Sequence, residues 1–170
     1  MAASRPRPRA NRYAWLQILT HAAAWIPLLV LGWAYANDQL TVNPIQAAQQ
    51  RTGQTALVLL LLSLACTPLL TLTRFAPLNN LRRPLGLYAF LYAAVHLFLF
   101  IGIDYGFNFR LILLDTGSKS YILVGLTAFL LLLPLAVTSP RWFVIRMKKN
   151  WKRLHRLVYV AAILIVLHFA

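Results

Sequence analysis

The sequence predicts an all-α fold: a multi-pass transmembrane helical bundle with four full spans and a fifth helix cut short. Three observations carry this prediction. Of the 170 residues, 60% are hydrophobic and only 12% are Asp, Glu, Lys or Arg, against roughly 45–50% apolar and about 25% charged in ordinary soluble domains. The apolar residues gather into runs at about 14–35, 54–73, 85–103, 121–138 and 157–170, and the charges sit between them. At about 1.5 Å per residue, the first four runs can each cross a hydrocarbon core about 30 Å thick. A water-soluble globular domain is excluded by this much apolar surface, and the lone Cys66 excludes an intrachain disulfide framework or thiolate cluster.

Each element follows in order. Residues 1–12, with the run Arg5-Pro6-Arg7-Pro8-Arg9 and Arg12, are expected to form a disordered basic tail near the lipid surface. The first run carries the small-x-small triplet Ala34-Tyr35-Ala36, but its length exceeds the usual 7–15-residue signal core, so it is a retained span. Pro27, Pro68 and Pro134 fall inside spans, which membrane helices tolerate when neighbours take up the freed backbone groups. Pro84 is placed in the first turn of the third helix, and Thr138-Ser139-Pro140 ends the fourth. The fifth run has fourteen residues before Ala170 and reads as part of a span. No repeat at a fixed period is evident.

The charges orient the chain. Assigning alternate connections to opposite sides gives one side the N-terminal tail, Arg74, Arg82 and Arg83, and the segment from Arg141 to Arg156. That side holds 14 basic residues and no acidic ones. The other side balances Arg51, Arg110 and Lys119 against Asp38, Asp104 and Asp115. The positive-inside rule puts the N-terminus in the cytoplasm. The whole net charge of +14 is then accounted for by anionic lipid headgroups, without nucleic acid as a partner.

No Asp, Glu, Lys or Arg lies deep within a run, which counts against an ion- or proton-coupled transporter. The polar groups left are His21, His96, His155 and His168. His96 lies thirteen residues beyond Arg83 and His168 twelve beyond Arg156, roughly 20 Å and 18 Å along helices running the same way. Two imidazoles at matched depth can hold one flat metal macrocycle from opposite faces, as haem iron is held. The alternative is that each only bonds a neighbouring helix. Gly86, Ala89 and Ala93 share the His96 face, forming either a groove for a ring or a close helix contact. His155 faces another way and nearer the cytoplasm, where Arg83 occupies the matching depth on the third helix. It can pair with His21, contact a flavin or quinone, or cap its helix. Arg110 and Lys119 are interfacial anchors or contacts for haem propionates.

The run Arg82-Arg83-Pro84-Leu85-Gly86-Leu87 with the later His96, and Trp151-Lys152-Arg153-Leu154-His155-Arg156-Leu157-Val158-Tyr159 with the later His168, resemble a known family. So do Gly53-Gln54-Thr55-Ala56 and Cys66-Thr67-Pro68-Leu69. The chain from residue 12 onward is similar to the MsrQ (YedZ) family, the haem-binding membrane subunits of the bacterial periplasmic methionine-sulfoxide reductase system. More widely it resembles the ferric-reductase and NADPH-oxidase transmembrane domain.

The resemblance implies a haem b (heme b) protein of the bacterial inner membrane. It passes electrons to a periplasmic molybdopterin methionine-sulfoxide reductase that repairs oxidised proteins. By position, His96 and His168 are the axial ligands and His155 a further cofactor-binding residue. FMN is also implied, with Arg82 and Arg83 as its contacts. Family members continue into a sixth helix and a basic tail, so residues 13–170 read as a shortened form of the domain with impaired haem retention.

No G-x-G-x-x-G turn occurs among the seven glycines, so the electron donor is expected to be the quinone pool or a cytosolic flavin reductase. No nucleophile–base pair is visible, which places terminal catalysis on a partner. The competing readings are a stand-alone ferric-reductase-type haem protein and a non-redox membrane scaffold.

Overall fold

The computed structural model describes residues 13–170; the basic tail expected over 1–12 lies outside them. Among the described residues the fold is helical throughout, with α1 (Ala14–Ala36), α2 (Pro44–Thr73), α3 (Leu78–Phe98), α4 (Phe109–Ser118), α5 (Ser120–Val137), α6 (Arg141–Met147), α7 (Lys149–His155) and α8 (Leu157–Phe169). A π-helical segment, Leu99–Asp104, extends α3. Helices Ala14–Ala36, Pro44–Thr73, Leu78–Asp104 and Ser120–Val137 are long and apolar enough to cross a membrane. The chain is therefore an all-α multi-pass membrane bundle.

Local chemistry sets the helix ends. Asn43 caps α2, its side-chain oxygen accepting from Gln46 N at 3.1 Å, and Pro44 follows where no N–H is needed. Helix α2 thus begins ten residues before its apolar run. It ends on Arg74 in the left-handed conformation, φ 56°, with the Arg74 N–H on the Leu70 carbonyl. Helix α3 starts at Leu78, so Pro84 sits in its second turn and not in the first as the sequence predicts. Asn108 caps α4 through Leu111 N at 3.2 Å. Between α6 and α7 the chain breaks at Lys148, φ 48°.

Two helical hairpins make the bundle. Helix α2 packs most extensively on α3, and α5 on α8; α1 leans on α3, and α3 meets α5 between the pairs. Their shared core holds Leu59 and Leu60 of α2, Ala89 and Tyr92 of α3, Leu132 of α5, and Ala161 and Ala162 of α8. Small residues at the centre let the backbones approach. Many large apolar side chains, such as Leu29, Leu72 and Ile163, point outward, as expected of a protein whose solvent is lipid.

Pro27 lacks an N–H and interrupts the α1 ladder. The bond it removes is the one to the Ala23 carbonyl; at the next rung the Tyr92 hydroxyl joins the α1 backbone, donating to the Ala24 carbonyl at 2.6 Å and accepting from Leu28 N at 3.2 Å. Tyr92 is 1% exposed, and its neighbour Tyr88 bonds His21 one turn away. Helix α1 is thereby pinned to α3.

Candidate functional site

His96 leaves the last turns of α3 and His168 the end of α8. The two rings meet, with centroids 6.2 Å apart and planes at 81°. Both are half-buried. Each uses Nδ1 in the same manner: His96 Nδ1 lies 2.9 Å from the Gln49 carbonyl of α2, and His168 Nδ1 lies 2.7 Å from the Tyr121 carbonyl of α5. A carbonyl only accepts, so Nδ1 carries the proton and donates in both rings. In the neutral ring Nε2 then keeps its lone pair. This is the tautomer a metal-binding imidazole needs, with the other nitrogen held by a carbonyl that fixes ring orientation.

The spacing can be tested against a shared metal. Two imidazoles bound through ring nitrogens at about 2.0–2.1 Å per bond bring their centroids to roughly 6.3 Å apart, which the observed 6.2 Å matches. Among the described residues, no three His, Cys, Asp or Glu converge as a metal-binding set. A metal held by this pair alone would have to bring its remaining donors with it, as haem iron does.

Two members of the small-residue face beside His96 serve close helix contact. Ala89 is 1% exposed in the core, and a Cβ on Gly86 would lie 3.3 Å from Ser63 Oγ of α2.

His155 and His21 do not meet. His21 Nδ1 is 3.0 Å from the Tyr88 hydroxyl. His155 Nε2 is 3.1 Å from Thr138 Oγ1, and its ring stacks on Trp151 at 4.0 Å, whose Nε1 donates to the Thr138 carbonyl at 2.9 Å. Burial, then the Arg82 guanidinium, pushes the His155 pKa below the ordinary histidine value, so the ring is neutral near pH 7. His155 therefore ties α7 to the end of α5.

Arg82 and Arg83 occupy the second turn of α3. The Arg82 carbonyl accepts from Ser63 Oγ at 2.7 Å. Arg83 lines an open groove of about 510 Å³ with Gln17, His21, Asn80 and Tyr88. On the opposite face Lys119 does not stand free: it donates to Asp115 at 2.6 Å, and the Tyr105 hydroxyl donates to the same carboxylate at 2.5 Å. These two bonds hold the Asp115 carboxyl below the usual carboxylate range.

Sequence reasoning finds the imidazole pair but misses the carbonyls of Gln49 and Tyr121. No sequence signal marks them: that each lies 47 residues before its histidine is recognisable only once the hydrogen bonds are known.

Residues 52–166 match the family described as ferric reductase like transmembrane component. Curated relatives named protein-methionine-sulfoxide reductase heme-binding subunit MsrQ include one from Xanthomonas campestris pv. campestris (strain 8004), 45% identical over 88% of this chain and 71% of its own length. Another, from Xanthomonas axonopodis pv. citri (strain 306), is 45% identical over 89% and 72%. A third, from Rhodospirillum rubrum, is 44% identical over 90% and 74%. No solved structure matches. The chain belongs to the MsrQ family, within the ferric-reductase-like transmembrane proteins.

Proposed function

We propose that this chain is the haem b-binding electron-transfer subunit of a methionine-sulfoxide reductase system. The observation that carries the proposal is the His96–His168 pair, 6.2 Å between ring centres with both Nδ1 atoms committed to carbonyls. His96 and His168 would be the axial ligands. When bound, the haem supplies reversible one-electron chemistry. The residues around it hold the imidazoles in one tautomer, exclude water with the apolar core, and tie the two hairpins into one body.

The relatives' names supply the partner, a methionine-sulfoxide reductase. We take it to be the molybdopterin enzyme of the periplasm, and the membrane to be the bacterial inner membrane. The side rich in Arg and Lys is then cytoplasmic, with the N-terminus on it, in line with the positive-inside rule. The histidine pair lies toward the other side, so electrons leave near the reductase. The groove beside Arg83, Asn80 and His21 is our candidate for contact with the donor, a quinol or a flavin reductase, and for an FMN site. His155, bonded to Thr138 and stacked on Trp151, we assign to tying α7 to the end of α5 rather than to holding the haem.

The test is a visible spectrum of the purified full chain expressed with ample haem. We expect a Soret band and reduced α and β bands of a low-spin b-type haem, lost in His96→Ala and in His168→Ala. Their absence from the wild-type chain removes the redox reading. Reoxidation of the reduced protein by the methionine-sulfoxide reductase, with ferric chelate inert, supports the subunit role; the reverse pattern supports a stand-alone ferric reductase.

A further inference from the structure

Each ligand histidine rests on a glycine. A Cβ built on Gly53 of α2 would lie 3.2 Å from His96 Nδ1 and 3.4 Å from Cε1. One on Gly125 of α5 would lie 2.6 Å from His168 Cε1, 2.7 Å from Nδ1 and 3.0 Å from Nε2. In both cases the three nearest atoms belong to the imidazole and to no other residue. Gly53 stands one helical turn beyond Gln49, and Gly125 one turn beyond Tyr121, on the same face of the helix. Each imidazole is therefore held at two points on one helix: Nδ1–H on a carbonyl, and the ring on a backbone without a side chain.

The same device occurs twice in one register. His96 and His168, Gln49 and Tyr121, and Gly53 and Gly125 are each 72 positions apart. The match extends to Gly53-Gln54-Thr55-Ala56 and Gly125-Leu126-Thr127-Ala128, and to Ala89 and Ala161, both fully buried. Thr55 and Thr127 each donate to the carbonyl four residues back, at 2.7 Å and 2.8 Å. The α2–α3 and α5–α8 hairpins are two versions of one unit, each presenting one imidazole.

We propose that Gly53 and Gly125 are positioning residues for the two axial histidines, an assignment that rests on the haem-binding reading above. They seat the rings so that both Nε2 lone pairs are available at the observed separation. Gly32 of α1 sets the baseline for a methyl added within a span, since a Cβ there meets nothing within 4 Å.

The experiment compares Gly53→Ala, Gly125→Ala and Gly32→Ala in the full chain, reading haem per polypeptide, the low-spin electron paramagnetic resonance signal, the midpoint potential and helical content. Gly32→Ala is expected to match the wild type. Gly53→Ala, needing a shift of a few tenths of an ångström, keeps haem but moves the low-spin signal and the potential. Gly125→Ala loses haem affinity by about 10- to 100-fold, the usual cost of disturbing the groups that orient a metal ligand. Wild-type spectra and haem content in both variants overturn the proposal. If Gly125→Ala does not accumulate, Gly53→Ala alone decides: a moved signal supports the seat and an unchanged one overturns it. A wild-type chain without haem defeats the haem reading instead. The seat is then read from ¹⁵N-histidine spectra, where Gly125→Ala must shift the His168 signal and Gly53→Ala that of His96.

Discussion

The Tyr92 hydroxyl bridges a carbonyl and an N–H of another helix, and its removal leaves the Ala24 carbonyl and the Leu28 N–H without that partner. Tyr92→Phe should therefore destabilise the bundle by about 1–2 kcal/mol, measured by thermal unfolding in detergent. A smaller effect is expected from Tyr88→Phe, which removes only the half-exposed bond to His21. His155 makes a pH prediction. Its folded pKa is depressed, by burial first and Arg82 second, so the unfolded chain takes up its proton more readily. Stability attributed to the neutral ring is complete above the ordinary value of 6.5 and declines as pH falls through the lower folded value. Melting temperature followed from about pH 7.5 to about pH 5 should fall less steeply in His155→Gln than in the wild type. The histidine pair itself was legible in the sequence, because depth in a membrane follows from counting residues along helices. The tyrosine contact and the Thr138 partner of His155 were not: both join helices whose relative rotation no spacing specifies.

Helix boundaries show where apolar patterning stops being informative. Gln46, Gln49, Gln50 and Arg51 place the start of the second run near residue 54, yet the helix begins at Pro44 under its Asn43 cap. Its polar turns extend past the apolar stretch and deliver the Gln49 carbonyl to His96. Polar residues at the mouth of a span thus belong to the site. Helix α4 was likewise hidden, being a short surface helix between spans with Phe109, Leu113 and Leu114 exposed. Its junction with α5 is closed by Asp115, which accepts from both Tyr105 and Lys119. Asp115→Asn should loosen this corner, so limited proteolysis between residues 105 and 120 should speed up while the haem spectrum stays unchanged. Slower or equal cleavage would show that the corner is held by the lipid-facing residues of α4 instead.

The architecture is two related hairpins brought together at a small-residue core, with one imidazole supplied by each. The duplication escaped the sequence reading because leucine-rich helices resemble one another in every register, so a few matched positions do not stand out. It becomes visible only when two hydrogen bonds of equal span, Gln49 to His96 and Tyr121 to His168, are seen together. The fold class was legible from composition and run length, since lipid demands long apolar helices with internally satisfied backbones. A site shared between hairpins depends on both, so changes in either half should affect the same spectroscopic signal. Haem per polypeptide, determined by pyridine haemochrome assay on the wild type, His96→Ala, His168→Ala and His155→Ala at equal helical content, tests this most directly. One haem in the wild type and in His155→Ala, with none in either of the other two, is the predicted result; full haem in His96→Ala or His168→Ala would contradict it.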